Sequence, residues 1–316
     1  MNMRTITMFV GAGTLAAAAS AAYVADHATE ARSAPVTVVA APAAEANAAR
    51  RASVIPSSAA PVRTAARKRA DSGTWWKPAV SDTWQWQLTG QINTSYDVAI
   101  YDLDLFDTSD ATIAQVHARG SKLICYFSAG SSENWRDDFK EFETSDLGKP
   151  LDGWAGERWV DTRSQNVRRI MAERLDLAAA RGCDGVEPDN MDGYANKNGL
   201  GLTAADQLDY NRYLATEAHR RGLAVGLKND LDQVRALVDS FDFAVNEQCA
   251  QYRECAMLKP FTDAGKPVFN AEYLAKYRTN QNGARDTLCA ASRAANIRTL
   301  VLPLKLNDKY RFSCDS

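Results

Sequence analysis

The 316-residue chain holds only three histidines, and none stands where catalysis could use it. His27 falls in a stretch without core-forming residues, while His117 and His219 fall on expected helices, away from any strand end. A Ser-His-Asp triad and a histidine-bound zinc therefore have no candidates. The six cysteines form no CxxC pair, so the usual spacing of a thiolate zinc site is missing as well. No glycine-rich phosphate loop opens a helix, which leaves nucleotide chemistry without support. From about Asp26 to Ala70 large apolar residues are almost absent, and such a composition cannot bury enough surface to offset chain entropy.

What the N-terminus does contain is a positive start at Arg4 and an uncharged, mostly apolar or small run from Thr5 to Ala25, with Ser20 and Ala22 suited to a signal peptidase. Residues 1–25 read as a signal peptide or an uncleaved N-terminal anchor, since the run is about long enough to cross a bilayer. Residues 26–70 read as a disordered Ala/Pro-rich linker, and 71–316 as the folded domain. The expected location is secreted, periplasmic or cell-envelope. No cysteine precedes Cys125, which argues against a lipoprotein.

Residues 1–70 hold eight of the 37 basic and three of the 39 acidic residues, leaving 29 against 36 and a net charge of −7 for the rest. Nucleic acid is a poor partner for such a surface, and a cationic or neutral one a better partner. No obligate protein partner is inferred. An even cysteine count in an exported chain suits disulfides. Cys249 with Cys255 and Cys289 with Cys314 are the favoured pairs, while Cys125 and Cys183 are either bridged or buried thiols.

Eight apolar runs alternate with helical stretches from Trp84 onward: Trp84–Leu88, Val98–Asp104, Lys122–Ser128, Asp184–Pro188, Ala224–Asn229, Phe243–Gln248, Val268–Tyr273 and Thr299–Lys305. Gly120, Gly182, Gly222, Gly265 and Asn296 each stand shortly before a run, as left-handed caps of preceding helices do. This rhythm predicts a (β/α)8 TIM-like barrel. One joint is short, because about nine residues, Thr89 to Asp97, must link the first two strands. The longest insertion, Ala129 to Asp161, carries Trp135, Trp154 and Trp159 and suits sugar stacking as well as loop anchoring.

The chemistry concentrates in Gly182–Asp192, GCDGVEPDNMD, which packs Asp184, Glu187, Asp189 and Asp192 into nine residues. By strand alternation Val186 faces the helices and Glu187 the barrel axis, and Pro188 closes the strand and passes Asp189 and Asn190 to the loop. Parallel strands gather their carboxyl ends on one face, here Gln87, Asp102, Asp104, Ser128, Glu187, Asp189, Lys228, Asn229, Glu247, Gln248, Glu272 and Lys305. Such a mouth offers carboxylate chemistry without a cofactor, as glycoside hydrolysis requires. A Mg²⁺ site made by the same acids is the competing reading.

These stretches carry a resemblance. GCDGVEPDNMD, with VAIYDLDLFDT and LICYFSAGSSENW before it and GLKND and VNEQC after it, resembles glycoside hydrolase family 114, the endo-α-1,4-polygalactosaminidases, from about Trp84 to Leu304. The resemblance implies a (β/α)8 barrel that cleaves α-1,4-linked galactosamine in exopolysaccharide. It implies Asp189 and Glu247 as the catalytic carboxylates, with no cofactor and no metal. By analogy with the α-galactosidase barrels, Asp189 would be the nucleophile and Glu247 the acid/base. Trp86, Asp102, Asp104, Tyr126, Ser128, Glu187, Asn190, Asp192, Lys228, Asn229, Gln248 and Glu272 are the candidate sugar-binding or orienting residues. Asp102 and Asp104 have an alternative role, tying down nearby backbone amides. The substrate would be a cationic amino-sugar polysaccharide, which an acidic mouth would concentrate. Two other readings stay open: a carbohydrate-binding barrel without catalysis, and a metal-dependent hydrolase or lyase.

Overall fold

In the computed structural model of the chain, which describes residues 74–315, all the apolar runs become strands. The expected leader and linker lie outside the described residues. The chain forms β1 (Trp84–Gln87), β2 (Ile100–Asp104) and β3 (Lys122–Ser128). The long insertion then contributes β4 (Ser131–Glu133), β5 (Leu147–Pro150) and β6 (Glu157–Val160). After it come β7 (Gly185–Asp189), β8 (Ala224–Lys228), β9 (Phe243–Glu247), β10 (Val268–Glu272), β11 (Ile297–Val301) and a two-residue β12 (Phe312–Ser313).

The main sheet runs β1-β2-β3-β7-β8-β9-β10-β11-β12. Its pairs are parallel up to β11, and β12 is added antiparallel. The sheet curls until its ends meet. Trp84 Nε1 on β1 donates to the Arg298 carbonyl on β11 at 3.1 Å, and the Trp84 ring lies 5.2 Å from that of Phe269 on β10. This is an α/β fold consistent with a TIM-like barrel.

Period two then sorts the side chains. Leu103, Cys125, Val186 and Val225 point outward and pack with Val167, Ile170, Met171 and Leu175 of the helix Gln165–Arg181. Many inward positions are aromatic or aliphatic: Trp84, Trp86, Phe243, Phe269 and Leu300 form one buried cluster. Gly226 faces this cluster without a side chain because a Cβ there would stand 2.3 Å from the Phe243 ring.

The helix ends follow the sequence signals. Ser164 accepts from the Asn166 and Val167 amides, and the helix stops at Gly182 with φ 85°. Thr203 and Asp206 form a reciprocal capping box at the start of helix Ala204–Arg220. Gly120, Gly222, Gly265 and Asn296 are also left-handed.

The short joint after β1 takes the form its length allows, and two other expectations change. No helix links β1 to β2; Gln87 holds that connection instead, donating to the carbonyls of Thr89 at 3.1 Å and Gln91 at 2.9 Å and accepting from Asn93 N at 3.0 Å. β7 does not close at Pro188, because Asp189 still pairs with Ser128 in the ladder. The main parallel run ends at Val301, so Lys305 lies exposed beyond it, between the buried Leu302 and Leu306, rather than at a strand end. All six cysteines are paired: Cys125–Cys183, Cys249–Cys255 and Cys289–Cys314.

At the amino end of the strands, residues before β1 are fastened to the end of helix Ala204–Arg220 and to the residue before β9. Trp75 stacks on His219 with ring centroids 3.9 Å apart. Asp242 accepts from Trp75 Nε1 at 2.9 Å and from Val225 N at 3.0 Å, and pairs with His219 Nε2 at 2.8 Å. Burial works against the Asp242 carboxylate, yet the hydrogen bonds from His219 and Trp75 hold its pKa below the ordinary range. His117 is also remote from the strand ends that carry the acids, pairing at 3.1 Å with Asp184, the residue before β7.

Candidate active site

Alternation carries inward-facing residues up from the aromatic cluster, and near the carboxyl ends the inward positions turn charged. Asp102 on β2, Glu187 on β7 and Lys228 on β8 are fully or almost fully buried. Lys228 Nζ is the hub, 3.0 Å from Glu187, 3.1 Å from Asp189 and 3.5 Å from Glu247. Burial alone would lower the lysine pKa, but the charges of Asp189, Glu187 and Glu247 outweigh it and raise the pKa well above the usual value. The ammonium also lies 4.8 Å from the Trp86 ring and 5.7 Å from that of Tyr126, so Trp86 forms part of its apolar seat.

Beneath the hub, Asp102 faces Glu187. Burial, then the negative charge of Glu187, pushes Asp102 well above the carboxylate range. The two buried carboxyls are thus an interacting pair in which burial and the neighbouring charge favour the protonated form of Asp102. Burial raises Glu187 to about 7, opposed by the nearby Lys228.

Asp189 and Glu247 are the members of this group that reach solvent, with side chains 19% and 28% exposed. Three donors meet Asp189: Lys228, the Tyr126 hydroxyl at 2.8 Å and the Asn190 amide at 2.7 Å. Burial and the Asp189 charge raise the Tyr126 pKa well above 10, so its hydroxyl keeps its proton. Glu247 accepts from the Tyr273 hydroxyl at 2.5 Å, and its own amide donates to Asn229 Oδ1 at 3.0 Å. Asn190, Asn229 and Gln248 are left-handed at φ 61°, 48° and 62°, so each chain bends sharply just after its strand. The hub is a cation, and among the described residues no group of three or more His, Cys, Asp or Glu is arranged to hold a metal ion.

The other candidates fall into two groups. Ser128, Asn190 and Asp192 border Asp189. Asn190 Nδ2 donates to Ser128 Oγ at 2.9 Å and to Ser131 Oγ at 3.2 Å, and Ser131 donates to Glu157 at 2.7 Å. Burial and Asp189 raise Asp192 to about 6. Asp104, Gln248 and Glu272 are engaged by the protein. Asp104 takes Arg136 at 2.6 Å and the amides of Phe106 and Asp107 at 2.8 and 2.7 Å. Glu272 accepts from Ala250 N at 2.8 Å, and Gln248 donates to Gln251 at 2.8 Å.

Sequence reasoning missed Tyr273, Arg136 and the Ser131–Glu157 pair. Tyr273 had a signal, since it closes the run Val268–Tyr273 one residue past a strand end. Arg136 and Glu157 come from the insertion, where no periodicity marks them.

Against this geometry stand the comparisons. Residues 65–316 match glycoside-hydrolase family GH114. A solved structure of Aspergillus fumigatus Ega3 in complex with galactosamine is 45% identical, covering 76% of this chain and 98% of its own, with a TM-score of 0.71. The glycoside hydrolase domain of PelA from Pseudomonas aeruginosa shares the fold at 15% identity and a TM-score of 0.58, over 73% of this chain and 98% of that one. No curated protein matches. With its family match spanning the folded part and its carboxylates gathered at the strand ends, the chain belongs to glycoside hydrolase family GH114.

Proposed function

We propose that this protein is an endo-glycosidase that hydrolyses α-1,4-linked galactosamine polymers, with Asp189 and Glu247 as its reacting carboxylates. The observation that carries the reading is the shared hub: two part-exposed carboxylates at the ends of β7 and β9 held by one buried lysine. Asp189, met by three donors, attacks the anomeric carbon as the departing oxygen takes a proton from Glu247. Glu247 then removes a proton from the water that releases the sugar. Their nearest hub-facing oxygens can be no further apart than the two lysine distances laid end to end, about 6.6 Å. That bound admits the separation of about 5–5.5 Å usual for the retaining course as well as the lower edge of the inverting range of about 6.5–9.5 Å. A cationic polymer suits the acids around the mouth, and the Ega3 structure was solved with galactosamine. An apolar leader at residues 5–25 supports export to where such polymers lie. The test is reducing-end release from a deacetylated α-1,4-galactosamine polymer beside chitosan. Cleavage of the first alone supports the assignment; cleavage of neither overturns it.

A further inference from the structure

The insertion between β3 and β7 does more than border Asp189. Of the seven tryptophans, five are buried or half-buried, and the two that are exposed, Trp135 at 52% and Trp154 at 57%, both belong to this insertion. They are also brought together. Asn134 N donates to the Gly156 carbonyl at 3.1 Å, and Glu157 N to that of Trp154 at 3.2 Å. Gly156 has φ 97°, and a Cβ there would stand 2.9 Å from the Trp135 ring and 2.6 Å from Asn134 Oδ1. The Trp135 ring thus lies against the turn that carries Trp154.

Anchoring does not need either ring. Arg136, next in the chain, binds Glu133 and Asp104, and its guanidinium sits 4.6 Å from the Phe106 ring. Arg174 reaches up from its helix to Asp138 at 2.7 Å. The insertion is therefore fixed to the main sheet by buried ion pairs, with the indoles left facing water. Its root meets the site, because Ser131 on β4 contacts Asn190 beside Asp189. From Ser131 to Glu133 the strand covers about 7 Å, and the turn that follows, closed by Arg136 N donating to the Glu133 carbonyl at 3.1 Å, carries Trp135.

We propose that Trp135 and Trp154 form a platform for galactosamine units remote from the scissile bond, so that the enzyme favours long chains; this rests on the polymer-cleaving reading above. Galactosamine suits an indole on two counts. The axial 4-hydroxyl leaves one ring face lined with C–H groups, which stack on an aromatic face, and the 2-ammonium is drawn to the indole quadrupole.

The test compares kcat/KM on long polymer with that on a short galactosamine oligomer, for wild type, Trp154→Ala, Trp135→Phe and the double variant Trp135→Ala/Trp154→Ala, with melting temperatures measured alongside. The ratio of long to short should fall by about tenfold in the double variant, the size of two lost aromatic–cation contacts at exposed sites. Trp135→Phe should keep most of it, and oligomer quenching of tryptophan fluorescence should weaken in Trp154→Ala. Should the double variant fold poorly, Trp154→Ala on its exposed turn decides through the same ratio and the quenching. An unchanged ratio in a folded Trp154→Ala that still cuts polymer overturns the platform and leaves the proposed function standing. No cleavage of either substrate by wild type overturns the function itself and the platform with it.

Discussion

Lys228 Nζ stands 3.1 Å from Asp189 Oδ1 in a side chain only 2% exposed, with the buried Glu187 at 3.0 Å on another side. A buried cation so placed fixes where the solvent-facing carboxylate points. Replacing it by Met leaves Glu187, Asp189 and Glu247 facing one another without a counter-charge, and breaking a buried pair in this way typically costs about 3–5 kcal/mol. Lys228→Met should melt at lower temperature and lose at least about 100-fold in kcat. Adding Glu187→Gln should restore part of the stability and none of the activity. A Lys228→Met enzyme with near-normal turnover would remove the lysine from the account.

Stability should peak on the acid side. Burial raises Glu187, Glu157 and Glu272 to about 7, Asp192 to about 6 and Asp230 to about 9. Carboxyls with a raised folded pKa contribute fully below the unfolded value of about 4 and lose that contribution as pH climbs through the folded one. Asp161, Asp206 and Asp242 have lowered values, so their share is present above about 4 and is lost on further acidification. Melting temperature should therefore fall between about pH 5 and 8. Glu272→Gln, which keeps the acceptor for Ala250 N, should flatten the slope and gain at pH 8. A melting temperature that rises over this range would contradict the assignment.

The Trp75–His219–Asp242 contact sets how far the N-terminus can be trimmed. A chain starting at Asp71 should fold and cut polymer like the longer protein. One starting at Ala79 loses the indole, its hydrogen bond and Lys77, which pairs with Asp242 at 3.2 Å. Such a loss amounts to about 1–3 kcal/mol, or several degrees of melting temperature. Turnover at low temperature should not change, because the contact lies at the opposite end of the strands from the carboxylates. Equal melting of the two chains would show that the contact contributes nothing.

Much of this was legible in the sequence because strands and helices write their periods into it. The run Lys122–Ser128 becomes β3 without adjustment, and the helix before Gly182 ends where its glycine says. Thr299–Lys305 slid toward the N-terminus because Ile297 and Arg298 pair with β10 while Pro303 and the residues after it do not. β4, β5 and β6 were missed because SSE, LGKP and ERWV are short and mostly polar, with no alternation to read. At the site, strand ends named the carboxylates. They could not name Arg136, which turns Asp104 toward the insertion, or the bridge between Cys125 and Cys183, whose pairing depended on how β3 lies against β7.

Gly130 carries a sharper prediction. A Cβ at this position would stand 1.7 Å from the Asn190 carbonyl oxygen, and Gly130 N donates to the Asp189 carbonyl at 3.0 Å. Gly130→Ala must push Asp189 and Asn190 aside, and a displacement near 1 Å can cost about 100-fold in rate. Gly120→Ala is the control, since its Cβ meets nothing within 4 Å and its φ of 82° gives only local strain. Full activity in Gly130→Ala would show that the Asp189 turn tolerates movement.

The central claim is that Asp189 and Glu247 together cleave a galactosamine polymer. It is tested most directly by turnover of Asp189→Asn and Glu247→Gln on that polymer, with binding measured on the same samples. Each exchange should lower kcat by about three orders of magnitude or more while polymer binding stays within a few-fold of wild type. Near-normal turnover in either variant would contradict the account.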